Sequence, residues 1–252
     1  MTAVGAFQWK GGYQLYKPND NSAVFQAGTE HNSYLVTTLL LFLSSQSQIG
    51  SYFGAEVCVV DLNKDSNTDL LLVSAPTYTE SDREGKVFVY TLSVISSQSN
   101  FTFSDTLVGM AGQRGRFGSS LASPADLDGD GFMDVLIGAP LEEDGQGSIY
   151  IFNGRDGAIN SKYSQRIVGS SVRSGLQFFG ISLSQSSLDQ SQDKLPDIAV
   201  GSKGAVLLLR SRPIVLLETK VTYNPTKIPT SETDQSLENT MKFLMPYFSN
   251  SI

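Results

Sequence analysis

Three times along this 252-residue chain an apolar run breaks into a nine-residue loop and then resumes. Each loop carries oxygen-bearing side chains at positions 1, 3, 5 and 9: DLNKDSNTD (61–69), DLDGDGFMD (126–134) and DQSQDKLPD (189–197). The loops recur about every 60 residues, together with their flanks. A unit of that size, made of short apolar strands, cannot bury both faces of its own small sheet. The units must therefore stack around a shared core, which restricts the fold to a repeat architecture.

The spacing also specifies a chemistry. Four carboxylates in nine residues repel one another unless a cation sits among them, and hard oxygen donors at alternate positions suit calcium. In the second loop the expected ligands are Asp126, Asp128, Asp130 and Asp134, with the backbone carbonyl of Phe132 at position 7. In the first they are Asp61, Asn63, Asp65 and Asp69 with the Asn67 carbonyl; in the third, Asp189, Ser191, Asp193 and Asp197 with the Leu195 carbonyl. Gly131 permits the sharp turn around the ion. A merely solvated acidic turn is the competing reading, and the threefold recurrence weighs against it. An EF-hand is excluded, because that motif needs a bidentate glutamate at position 12 and flanking helices. Position 12 is Leu72, Ile137 and Val200 in turn, each inside a strand-like run.

The flanks complete the unit. Phe53-Gly54, Phe117-Gly118 and Phe179-Gly180 precede the loops; LLLVSAP (70–76), VLIGAP (135–140) and IAVGS (198–202) follow them as buried-looking strands. A glycine and a second strand come next: GKVFVYTL from Gly85, GSIYIFNG from Gly147 and GAVLLLRS from Gly204. This order of FG, acidic loop and GAP resembles the FG-GAP repeat of the integrin α-subunit β-propeller, from about Val4 to about Asp234. QIGSYFGAEVCVVDLN and RGRFGSSLASPADLDGDGFMDVLIGAPLEEDGQGSIYIFNG look most like the subunits with an inserted ligand-binding domain, the leukocyte and αE group.

The expected fold is all-β: a partial β-propeller of FG-GAP repeats, about three complete four-stranded blades plus fragments. The expected blades span 49–110, 111–170 and 171–214. Residues 1–48 read as partial blades, one of them shortened: a hairpin turning at Lys10–Gly12, a polar loop over 19–33, and an apolar strand run over 34–43. The resemblance implies the start of an immunoglobulin-like domain at 215–234, followed by a divergent tail at 235–252. Arg114, Arg116 and the acidic stretch Glu142–Asp144 read as solvated loop charges.

Composition excludes several functions. The net charge of −7 is concentrated in the loops, which hold ten of the 25 acidic residues, and no basic stripe offers a nucleic-acid surface. His31, the one histidine, stands apart from acids and cysteine. With no GxSxG, HExxH or Cys/His pairing, the chain is expected not to be an enzyme. Cys58 is alone and reads as a small buried strand residue. The N-terminal MTAVGAFQWKGG does not read as a secretory signal, and LVTTLLLFL (35–43) is too short to span a bilayer.

What the resemblance implies is a calcium-binding propeller part of a cell-adhesion receptor, at the cell surface in the full-length protein. That receptor pairs with an integrin β subunit and meets its ligand through an inserted domain absent here. The alternatives are a secreted calcium-dependent FG-GAP module or a non-functional truncated isoform.

Overall fold

The computed structural model describes residues 12–17, 20–27, 48–95 and 98–211. The hairpin arm at 4–9, His31, the apolar run at 34–43 and the segments expected at 215–234 and 235–252 lie outside them. Strands β1 (Gly12–Lys17) and β2 (Asp20–Ala27) pair antiparallel, with Gly12 opposite Ala27. This corrects the expected loop over 19–33 at residues 20–27, whereas Lys10 and Gly11 of the expected turn at Lys10–Gly12 lie outside the described residues. The AVFQA run has the branched and aromatic residues that suit a strand, and the polar residues before it hid where that strand begins.

Beyond these come three antiparallel meanders. The first contains β3 (Val57–Val60), β4 (Leu70–Thr79), β5 (Glu84–Ile95) and β6 (Gln98–Leu107), in that order. The second contains β7 (Ser120–Ala122), β8 (Val135–Ala139), β9 (Ser148–Phe152) and β12 (Gln165–Val168). A small hairpin, β10 (Gly154–Arg155) with β11 (Ala158–Ile159), is inserted before its last strand. The third holds β13 (Ser182–Leu183), β14 (Ile198–Ser202) and β15 (Ala205–Leu209). It has three strands among the described residues, where the sequence suggests four.

The strands after the acidic loops are buried on both faces, which explains their unbroken apolar runs. Alternation along β4 sends Leu70 and Leu72 into the core shared with the second sheet, where they join Phe117, Val135, Ile137 and Tyr150. Leu71 and Val73 point the other way, to Phe53 and Phe88. On the second sheet, Leu136 and Ile149 turn toward Phe179, Ile198 and Val200 of the third. Each such side chain contributes about 1.5–3 kcal/mol by leaving water. Cys58 belongs to the first of these cores and is 6% exposed.

The FG motif forms the joint between sheets. Phe53, Phe117 and Phe179 are buried, and the residues before them, Tyr52, Arg116 and Phe178, all adopt left-handed backbone with φ of 57°, 53° and 55°. The following glycine continues at positive φ and donates its N–H to the strand beside it: Gly54 to Ser74 O, Gly118 to Gly138 O, Gly180 to Gly201 O. In the core between the first two sheets, Phe117 meets Tyr150 and Phe152 edge-on. Close backbone approach is what demands glycine in the preceding sheet. A Cβ on Gly85 would lie 2.2 Å from the Phe117 carbonyl oxygen, and one on Gly147 would lie 2.2 Å from that of Phe179.

One expectation about charge is corrected. Glu142 is not solvated: it is 1% exposed, paired with Arg166 at 2.7 Å and accepting from the Tyr150 hydroxyl at 2.6 Å. Tyr150 in turn accepts from the Met110 amide, and Glu143 pairs with Arg166 at 2.8 Å. The carboxylate is stable there because its partners come from distant strands, which the local pattern LEEDGQG cannot show. Arg114 and Arg116 are exposed, as expected.

The joint gives a direct comparison. Gly147→Ala should destabilise the protein by about 2–4 kcal/mol, since the added methyl meets backbone that cannot rotate away. Gly204→Ala, at φ +72° but with nothing within 4 Å, should cost only about 1 kcal/mol. Urea unfolding of the two variants checks the order; equal losses would remove the backbone contact as the reason for Gly147.

Candidate metal centre

Each acidic loop links the first two strands of its sheet: 61–69 joins β3 to β4, 126–134 joins β7 to β8, and 189–197 joins β13 to β14. The three share one backbone. Positions 4 and 6 are left-handed in all of them: Lys64 and Ser66, Gly129 and Gly131, Gln192 and Lys194. Only the second loop meets both positions with glycine, so the other two hold non-glycine residues in a conformation costing about 1–2 kcal/mol each. The sequence draws attention to Gly131, but the need at position 4 emerges only from the geometry.

The hydrogen bonds repeat as well. Position 6 donates its amide to the position 1 carboxylate: Ser66 to Asp61 at 2.7 Å, Gly131 to Asp126 at 3.0 Å, Lys194 to Asp189 at 3.0 Å. Position 7 donates to position 5: Asn67 to Asp65 at 2.8 Å, Phe132 to Asp130 at 2.9 Å, Leu195 to Asp193 at 3.0 Å. With the amides committed to these carboxylates, each loop curls tightly, and in the second the alternate carboxylates converge. The position 9 aspartates fold back onto the amide of position 2: Asp69 on Leu62, Asp134 on Leu127, Asp197 on Gln190.

The second loop is the most concentrated. Carboxylate oxygens of Asp126, Asp128 and Asp130 lie within 4.8 Å of one another. Asp134 is fully buried below them, taking the Leu127 amide at 2.7 Å and the Gly154 amide at 2.9 Å. Burial pushes its carboxyl up to about 6 against the pull of those two amides, and Asp128 and Asp126 add to the rise. Asp126 is also partly desolvated, yet the Lys64 ammonium and the Gly129 and Gly131 amides hold it below the ordinary carboxylate range. Asp193 in the third loop lies below that range, chiefly because it accepts from the Leu195 amide at 3.0 Å. Sequence reasoning missed two contributors here. Asn153, directly after β9, donates to Asp128, and Lys64 reaches from the first loop to Asp126. The equivalents of Asn153 in the strand pairing are Leu92 and Arg210, so no repeated residue marked the position.

The third loop supplies the test of fit. Asp197 is fully buried, and its Oδ1 finds no partner among the described residues; neither does the buried Ser191 Oγ. An orphaned buried carboxylate oxygen is costly, and a hard cation would satisfy both atoms. The donor set of all three loops is oxygen only, which fits calcium and not a thiolate- or imidazole-preferring metal.

Comparison with known proteins places this arrangement. The FG-GAP repeat model matches residues 53–90 and 117–152, which contain the first two joints and loops. Human integrin alpha-X is 38% identical over 92% of this chain and 23% of its own length. Mouse integrin alpha-E is 36% identical over 91% of the chain and 24% of its own length, and human integrin alpha-11 is 46% identical over 72% and 15%. The chain belongs to the integrin α family as an FG-GAP propeller fragment. It spans a quarter or less of these relatives. Within that family the fragment is all-β, and among the described residues no helix is long and apolar enough to cross a membrane.

The burial of Asp134 predicts that the loop of this integrin α fragment is sensitive to pH. An acid whose folded value is raised favours the protonated folded form. In calcium-free protein its contribution is therefore full below about 4 and lost as pH rises through about 6. Calcium needs the carboxylate, so its affinity for this loop should rise about tenfold per pH unit up to about 6 and then level off. Calorimetric titration at three pH values checks this; a flat profile would show that Asp134 stays ionised or takes no part. A second expectation concerns strain: Ser66→Gly should raise calcium-free stability by about 1 kcal/mol, read from the urea midpoint.

Proposed function

We propose that this chain is a calcium-binding segment of an adhesion-receptor α subunit in which the loops at 61–69, 126–134 and 189–197 each hold one calcium ion. The observation that carries the reading is the buried, unpartnered Asp197 Oδ1 beside Ser191 Oγ, in a loop with the same hydrogen-bond pattern as its two acidic counterparts. The ligands would be the side chains at positions 1, 3, 5 and 9 and the carbonyls of Asn67, Phe132 and Leu195. Calcium supplies neutralisation and stiffening, fixing the hairpin between the first two strands of each blade. Affinities on the order of 10⁻⁴–10⁻³ M would fill such loops outside the cell.

The blades would run 49–110, 111–170 and 171–214, with an immunoglobulin-like domain beginning near 215. The segment acts as a scaffold and not as an enzyme. In the whole receptor it would sit at the cell surface, pair with a β subunit, and support adhesion and signalling through a ligand-binding domain inserted elsewhere. The relatives' shared name, integrin alpha, motivates that assembly.

Calorimetry on the full chain should show about three calcium ions, with the 126–134 loop tightest because it has the most carboxylates. Asp128→Ala should weaken that loop by more than Ser191→Ala weakens the third. No uptake at millimolar calcium would sink the reading, whereas equal losses would remove only the ranking.

A further inference from the structure

The first two loops are tied together across the blade boundary, and the second and third are not. Met133, at position 8 of the second loop, donates its amide to the Leu62 carbonyl at position 2 of the first, at 3.0 Å. Lys64, at position 4 of the first loop, places its ammonium 3.1 Å from Oδ2 of Asp126 at position 1 of the second. Neither tie can be repeated at the next boundary. Position 8 of the third loop is Pro196, which has no amide hydrogen, and position 4 of the second is Gly129, which has no side chain. There a cleft of about 550 Å³ opens instead, lined by Asp126, Met133, Leu188, Asp189, Lys194 and Pro196.

We propose that Lys64 is a resident counter-charge of the second loop: it lowers that loop's calcium affinity and makes it salt-sensitive, so that the first blade tunes the second. The inference rests on the calcium reading of the loop and adds the residue that sets its strength. The left-handed backbone at Lys64, φ 62°, aims the side chain across the boundary. The Met133–Leu62 bond fixes the separation of the two loops, so the ammonium stays within reach of Asp126. The Lys64 side chain is about half exposed, at 47%, and Asp126 much less so, at 14%. The pair is therefore weak and screened, of the size that adjusts a site without closing it. A calcium ion bound to Asp126 would meet a like charge one carboxylate away. Carboxylate count alone thus overstates the affinity of this loop.

The test uses the full chain labelled with ¹⁵N-glycine. Gly129 and Gly131 lie in the second loop and the other two loops contain no glycine, so those two amide signals report this loop alone. Lys64→Met should tighten calcium binding there by about two- to fivefold at low salt, and the gain should shrink at about 0.5 M sodium chloride. Lys64→Arg keeps the charge and should bind like the parent at both salt concentrations. The signals of Gly118 and Gly180, in the joints, verify that each variant is folded. Calcium shifts at Gly129 and Gly131 that are the same in the parent and in Lys64→Met overturn the role of Lys64 and leave the calcium reading standing. No calcium shift in the parent at millimolar concentration overturns both.

Discussion

Backbone packed on backbone at the FG turn governs this structure. Phe117 and Phe179 press their main chains against Gly85 and Gly147 of the preceding sheet, at distances that leave no room for a side chain. That contact sets the spacing of successive sheets, and the apolar side chains then fill the gap it defines. Phe117 joins the shared core beside Tyr150 and Phe152 and next to Leu121, while Phe179 does the same with Leu136 and Ile149 one sheet on. The left-handed residue before each phenylalanine is a cost the joint imposes, and it is borne by three unrelated side chains: Tyr52, Arg116 and Phe178.

The repeat made much of this legible without coordinates. The post-loop strands and the hairpin character of the acidic loops follow from residue spacing, because a strand buried on both faces has few residue types open to it. The buried phenylalanines follow from recurrence of the FG pair. What escaped depends on partners that the local pattern does not name. Glu142 looked like a solvated turn acid until Arg166 and Tyr150 were seen around it. The β2 strand began among polar residues, and its partner β1 is what fixes it.

The acidic loops divide in the same way. Carboxylate positions and spacing are local, so the sequence carries them in full. Position 4 carries no carboxylate, and its left-handed backbone is visible in sequence only where glycine fills it, as at Gly129; Lys64 and Gln192 hide the same requirement. Asn153 and the inter-loop reach of Lys64 occur once each, so the comparison of repeats had nothing to align. The conformation of each loop arises from amides that would otherwise go unpaired at a sharp turn, and the carboxylates gather as a by-product of satisfying them.

The second sheet packs on the first through one face and on the third through the other, which has a consequence for recognition. A blade with neighbours on both faces has no face left to offer a partner, so whatever binds must approach strand ends. Antiparallel order puts the acidic loops at one end of the strands and the FG turns, with the β4–β5 connection, at the other. The first end gathers carboxylates, and a cation bound among them would stiffen it. The second is held by apolar packing and presents Tyr52, Arg114 and Arg116, all exposed.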